Sequence, residues 1–162
     1  MILSQAEIIA EKTLNELKPY CDRIEIAGSI RREKPNPNDI EIVAIPKPYQ
    51  TGLFESGIAK IVNCWTMIKG KLPCKYTQRL LPEGIKLDLF FARPENWGLI
   101  FAIRTGSAEF SHNVLAKGWC AKGFKSQNGI LFKNGIPIYI REEIDLFHLL
   151  EIEYCEPKYR IF

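Results

Sequence analysis

Residues 23–45, RIEIAGSIRREKPNPNDIEIVAI, decide the architecture, and they read as strand, glycine turn, loop and strand. Ile24 and Ile26 alternate with Arg23 and Glu25, and Ile40, Ile42 and Ala44 alternate with Asp39, Glu41 and Val43, which is the period-2 pattern of strands. One face of the second strand therefore carries Asp39 and Glu41 together. Residues two apart on a strand point the same way about 6.6 Å apart, so both carboxylates can share metal ions while the isoleucines stay buried. Between the strands, Gly28 lets the backbone approach a ligand closely and Ser29 offers a hydroxyl and an N–H. Arg31 and Arg32 follow with guanidinium forks suited to phosphate oxygens.

Working outward, Ser4-Gln5-Ala6-Glu7 has the form of a capping box, with Leu3 and Ile8 placed for a hydrophobic staple. The pattern predicts a helix from Gln5 to Lys18 that buries Ile9, Thr13 and Leu17 and stops before Pro19. After the second strand, Pro46 and Pro48 end the pairing and Thr51 to Gly57 reads as loop. Ile58, Ile61, Val62, Trp65 and Ile68 lie on one helical face, predicting a core helix that ends at Gly70. Lys75 to Leu81 and Ile85 to Ala92 then form two strands around the turn Pro82-Glu83-Gly84. In the second of them Asp88 shares a face with Lys86 and Phe90, opposite Ile85, Leu87, Leu89 and Phe91. An acid in so apolar a strand is costly without a partner, which leaves pairing with an arginine or ligation of a metal.

The remainder predicts a helix from Pro94 to Arg104 that ends at Thr105-Gly106, and a second helix capped by Ser107 that runs to Lys122, with Gly123 as its stop. Asn128-Gly129 and Asn134-Gly135 mark two tight hairpins between Phe124 and Tyr139, and a last helix spans Glu142 to Leu150. Ala92 to Glu95 is the boundary between two lobes, 1–93 and 94–162.

Composition excludes several classes. No apolar run approaches the roughly 18 residues of a membrane span, and the N-terminus lacks the basic flank and small-residue cleavage site of a secretion signal. Five cysteines with no C-x-x-C spacing point to reduced thiols in a cytoplasmic protein rather than a disulfide framework or zinc site. Net charge is only +3, yet residues 47–125 hold 12 Lys and Arg against 5 Asp and Glu, while both flanks are acidic. A basic middle beside an acidic site suits a polyanionic partner that meets bound cations.

Glycine-serine followed at this spacing by Asp-x-Glu resembles the palm motif of the DNA polymerase beta superfamily, and the Arg-Arg after the serine is similar to family X DNA polymerases. Residues 105–113, TGSAEFSHN, resemble the Thr-Gly-Ser motif that opens the nucleotide-binding subdomain of that family, and Glu156-Pro157-Lys158-Tyr159-Arg160 resembles the end of its catalytic core. Ile103 and Arg104 stand where the family commonly has aromatic residues. The resemblance implies an α+β nucleotidyltransferase palm, a mixed sheet with helices on one face, followed by a small α+β lobe, with neither lyase nor helix-hairpin-helix domain. It implies that Asp39, Glu41 and Asp88 hold two Mg²⁺ ions, replaceable by Mn²⁺. Gly28, Ser29 and Arg32, with Thr105, Gly106 and Ser107, would bind the nucleotide, and Arg31 would join the lobes through Glu143. The activity implied is transfer of a nucleotide from a deoxynucleoside triphosphate to a DNA primer 3′-hydroxyl, on a primer-template or in a gap during repair, by a monomer. Two other readings share the motifs. One is a template-independent nucleotidyltransferase acting on RNA, protein or a small molecule; the other is a non-catalytic DNA-binding relative.

Overall fold

In the computed structural model, residues 1–50, 52 and 56–162 are described. The chain is α+β and divides into two compact units, Met1–Ala92 and Arg93–Phe162. Thr51, Leu53, Phe54 and Glu55, part of the expected loop, lie outside the described residues.

The first unit opens with α1 (Leu3–Leu17). This helix starts two residues before the expected position, with Ile2 rather than Ser4 at its N-cap, so the capping box does not form. The reason is a distant acceptor. Leu3 N–H donates to the Pro35 carbonyl at 2.9 Å and Ala6 N–H to the Ile2 carbonyl at 3.1 Å, which satisfies early donors that a capping serine would otherwise serve. Ile8 is 71% exposed and makes no staple, and the buried stripe is Ala6, Ala10, Thr13 and Leu17, with Ile9 only partly covered. Pro19 ends the helix as expected, in a 3-10 turn over Lys18–Tyr20.

Five strands follow: β1 (Cys21–Ile26), β2 (Asp39–Pro46), β3 (Thr66–Lys69), β4 (Tyr76–Leu80) and β5 (Lys86–Phe91), with the short helices α2 (Gly28–Arg31) and α3 (Ile58–Val62) between them. They form one sheet in the order β1-β2-β5-β4-β3, antiparallel throughout except that β2 and β5 run parallel. Ile40, Ile42 and Ala44 of β2 and Leu87 and Leu89 of β5 face one way, into a core built with Ala6, Ala10 and Leu17 of α1 and Ile58, Ala59 and Val62 of α3. The helices thus cover one face.

The expected helix over 58–68 is corrected: it stops at Val62, and Thr66–Lys69 is a strand. Trp65 is buried as a core residue, but Met67 and Ile68 are about half exposed along the sheet edge. Short apolar runs satisfy helical and extended spacing alike, and here the open edge of β4 offers the backbone a partner, with Thr66 opposite Leu80 and Met67 opposite Arg79.

The second unit comprises α4 (Trp97–Thr105), α5 (Ala108–Phe110), a π-helical stretch Ser111–Ala116, α6 (Lys117–Ala121), the strands β6 (Lys125–Gln127), β7 (Ile130–Lys133) and β8 (Ile136–Ile138), and α7 (Glu143–Leu150). Helix α4 starts at Trp97, later than Pro94-Glu95 suggested, because Asn96 turns its side-chain oxygen back to Arg93 N–H at 2.7 Å. Ser107 caps α5 by accepting from Phe110 N–H at 3.0 Å. Both Asn-Gly pairs have positive φ at each residue, +51° and +73° at Asn128-Gly129 and +52° and +74° at Asn134-Gly135, the backbone that two-residue hairpins demand. No helix among the described residues is long and apolar enough to cross a membrane, and all five cysteines are free.

Leu99, Phe110, Leu115, Leu131, Leu146 and Phe147 pack the core of this unit. Beside it, Arg160, fully buried, makes an ion pair with Glu143 and donates from Nε to the Cys155 carbonyl at 2.8 Å. Removing one partner of a buried pair leaves an uncompensated charge. Arg160→Met, which keeps bulk and removes charge, is therefore expected to lower the unfolding free energy of the full chain by about 3 to 5 kcal/mol. A urea titration checks this, and a midpoint near that of the wild type would show the pair to be dispensable.

Candidate active site

The carboxylate face is the side of the sheet opposite α1 and α3. The parallel register makes Glu41 the Cα partner of Asp88 and Asp39 that of Lys86. Neighbouring strands lie about 4.8 Å apart, so Asp39, Glu41 and Asp88 form one acidic group across β2 and β5. The antiparallel pairing of β4 continues the row, setting Gln78 opposite Asp88 and Tyr76 opposite Phe90.

The glycine turn closes over β2. Ala27 N–H donates to the Glu41 carbonyl at 2.8 Å, and Gly28 adopts φ +62°. A Cβ on Gly28 would lie 1.6 Å from Glu41 Oε2, so only glycine leaves the room this glutamate occupies. Ser29 N–H donates to the same Oε2 at 3.2 Å. Ser29 Oγ is buried and has no hydrogen-bond partner among the described residues.

Electrostatics mark this face as short of positive charge. Burial, then repulsion from Asp39, pushes the Glu41 carboxyl up to about 7, against the pull of Ser29 N–H and Arg32. Burial, then Asp88, raises Asp39 above the usual carboxylate range, opposed by Lys34, Arg32 and Lys86. Arg32 therefore lies near enough to act on both carboxylates. Of the expected residues, Asp39, Glu41, Asp88, Gly28, Ser29, Arg31 and Arg32 belong to the first unit. Thr105, Gly106, Ser107 and Glu143 belong to the second, where Ser107 is a helix cap and Glu143 is bonded to Arg160.

Two neighbours of Asp88 escaped the sequence reading. Tyr76 donates its phenol to Asp88 Oδ1 at 2.5 Å, and Gln78 donates its amide to the same oxygen at 2.8 Å. The signal was present in the hairpin: counting back from Pro82-Glu83-Gly84 puts Gln78 and Tyr76 on the face of Asp88.

The donor set has the chemistry of a divalent-cation site, three hard carboxylates, two of which, Asp39 and Glu41, have a proton affinity raised first by burial and then by like charge. In the arrangement present, Glu41 turns to Ser29 and Asp88 to Tyr76 and Gln78. Among the described residues no three His, Cys, Asp or Glu side chains converge as a closed metal-holding group.

No protein-family model and no curated protein sequence matches this chain. Among solved structures, the chain is similar to polymerase beta of Leishmania infantum, determined as a ternary P/T complex. The TM-score is 0.73, with 17% identity, over 99% of this chain and 76% of that one. The chain therefore has a polymerase beta-like fold.

The unfolded carboxyl of Glu41 titrates near 4.5 and the folded one near 7. In this window the folded state holds the extra proton, so the stabilisation belongs to low pH and is lost as pH rises through about 7. In chelator, the melting temperature of the wild type is expected to gain on that of Glu41→Gln as pH falls from about 8 to about 6. A difference that stays constant would contradict the burial of this carboxylate.

Proposed function

We propose that the chain is a nucleotidyltransferase of the polymerase beta type. It transfers a nucleotide from a deoxynucleoside triphosphate to the 3′-hydroxyl of a DNA primer, on a template or in a gap, as in repair. The observation that carries this reading is the acidic group of Asp39, Glu41 and Asp88 on adjacent parallel strands, with the Gly28-Ser29 turn hydrogen-bonded to it. The polymerase beta-like fold supports it, as does the basic excess between residues 47 and 125, which suits a nucleic-acid partner.

In this reading the first unit is the catalytic palm and the second the nucleotide-binding lobe, with Thr105, Gly106 and Ser107 assigned to the nucleotide. Asp39, Glu41 and Asp88 would hold two Mg²⁺ or Mn²⁺ ions, which when bound supply neutralisation of triphosphate charge and acidification of the attacking hydroxyl. The other steps belong to the protein. Ser29 Oγ, buried and without a partner, is a hydroxyl available to a phosphate oxygen. Arg32 supplies a guanidinium for the triphosphate. Gly28 keeps the backbone clear of Glu41, so the turn can lie against the carboxylates.

The deciding assay offers Mg²⁺ or Mn²⁺, labelled nucleotides and three acceptors: a gapped duplex, an open primer-template and a single strand. Extension of the first two alone is expected. Extension of single strands would move the reading to a template-independent transferase, and no extension with either metal would remove catalysis from it.

Asp39→Asn and Asp88→Asn are each expected to abolish incorporation while leaving the melting temperature in chelator unchanged or raised, because each relieves repulsion among carboxylates. Near-native turnover in either variant would refute the assignment.

Glu41→Asp should also lower turnover. The native side chain spans the gap to Ser29 N–H and fills the space above Gly28, and a carboxylate one methylene shorter withdraws from both. A several-fold gain in Mg²⁺-supported rate would show instead that glutamate is a poor fit at this position.

A further inference from the structure

Asp88 is held in an unequal way. It lies between Glu41 on β2 and Gln78 on β4, and only 8% of it is exposed. Both of its hydrogen bonds, from Tyr76 Oη at 2.5 Å and Gln78 Nε2 at 2.8 Å, end on Oδ1. Oδ2 accepts no hydrogen bond among the described residues.

The donors are themselves fixed by packing. The Tyr76 ring stacks on Phe90 with centroids 4.9 Å apart and planes 21° from parallel, and the Lys69 ammonium lies 5.9 Å from the ring centroid. Its hydroxyl is thus aimed by the sheet and its neighbours. Gln78 comes from the residue directly opposite Asp88, so a short amide reach suffices. Two donors on one oxygen settle the carboxylate's rotation about its own bond, which a single donor does not. They also leave the lone pairs of the other oxygen, which is not among the fully buried unpartnered atoms, open to an incoming ligand.

We propose that Tyr76 and Gln78 are positioning residues that clamp Asp88 Oδ1 and so present Oδ2 to a divalent cation. The proposal rests on the reading of the acidic group as a metal site and adds to it two residues that act on the ion only through Asp88. It also separates the three acids by how they are held: among the described residues Asp88 carries two side-chain donors, Glu41 one backbone donor and Asp39 none.

The test is a Mn²⁺ titration of the full chain without nucleotide or DNA, followed by loss of the free-ion electron paramagnetic resonance signal. It compares the wild type with Tyr76→Phe, Gln78→Leu, their combination and Asp88→Asn. Tyr76→Phe keeps the stack on Phe90 and removes one hydrogen bond, so in chelator it should still unfold in one cooperative transition, at a modestly lower temperature than the wild type. Each single variant is expected to weaken Mn²⁺ binding about tenfold, the lower end of what groups orienting a ligand command, and the double variant more than either. If both single variants bind Mn²⁺ as the wild type does while Asp88→Asn binds it weakly, the clamp is overturned and the metal site stands. Tighter binding by Tyr76→Phe would also overturn it, making the tyrosine a latch that withholds Asp88 from the ion. Binding by Asp88→Asn as tight as wild type, or none by the wild type, would remove the metal site and the clamp with it.

Discussion

The parallel pairing of β2 with β5 is the constraint on which the first unit depends. Parallel neighbours cannot be joined by a tight turn, so the chain between them must leave the sheet and return. Here the intervening residues do structural work on the way: α3 covers the core face, and β3 and β4 extend the sheet beyond β5. The register is fixed by more than backbone hydrogen bonds. Ile40 opposite Leu87 and Ile42 opposite Leu89 put four large apolar side chains into the core, and a slip of one residue would exchange them for Asp39, Glu41 and Asp88. Burial of the isoleucines and leucines thus dictates that the acids meet on the other face.

That meeting opposes stability in the absence of cations. Glu41 and Asp39 both have raised proton affinity, burial first and like charge second. Arg32, Lys34 and Lys86 oppose the repulsion from a distance, whereas in the second unit Glu143 is directly ion-paired with the buried Arg160. The same chain therefore treats two buried acidic sites differently. In one the acid is ion-paired within its own unit; in the other the carboxylates sit side by side, and burial and like charge raise Asp39 and Glu41 against the pull of Arg32, Lys34 and Lys86.

What was legible in the sequence was local. Alternation around Ile24 and Ile40 located two strands, Pro82-Glu83-Gly84 located a hairpin, and two Asn-Gly pairs located the meander β6-β7-β8. The shared face of Asp39 and Glu41 follows from the same period. What was not legible depends on partners far along the chain. The start of α1 is set by the carbonyl of Pro35, and β3 exists because β4 has an open edge. Ser4 and Glu7 satisfy a capping pattern that the fold does not use, and the spacing from Ile58 to Ile68 fits a helix that ends after one turn and a half. The donors to Asp88 were hidden for another reason: tyrosine and glutamine in an alternating strand look like an ordinary solvent face until the register of the hairpin is counted.

Glycine at position 28 and glutamate at position 41 have to be read together. A glutamate in β2 reaches farther from the strand than an aspartate would, and the space into which it reaches is the volume that a Cβ on residue 28 would occupy. The backbone N–H of the next residue, Ser29, then meets its carboxylate. The turn and the strand are therefore coupled through one side chain: the positive φ that admits glycine alone also brings a backbone donor to an acid whose proton affinity burial has raised. Asp39, two residues earlier, has no such donor among the described residues; burial and the charge of Asp88 raise its proton affinity, opposed by Lys34, Arg32 and Lys86. Two of the three acids are thus held by donors from the first unit, Asp88 by Tyr76 and Gln78 and Glu41 by the Ser29 N–H. The side chains of these acids can change rotamer while the sheet that carries them keeps its register.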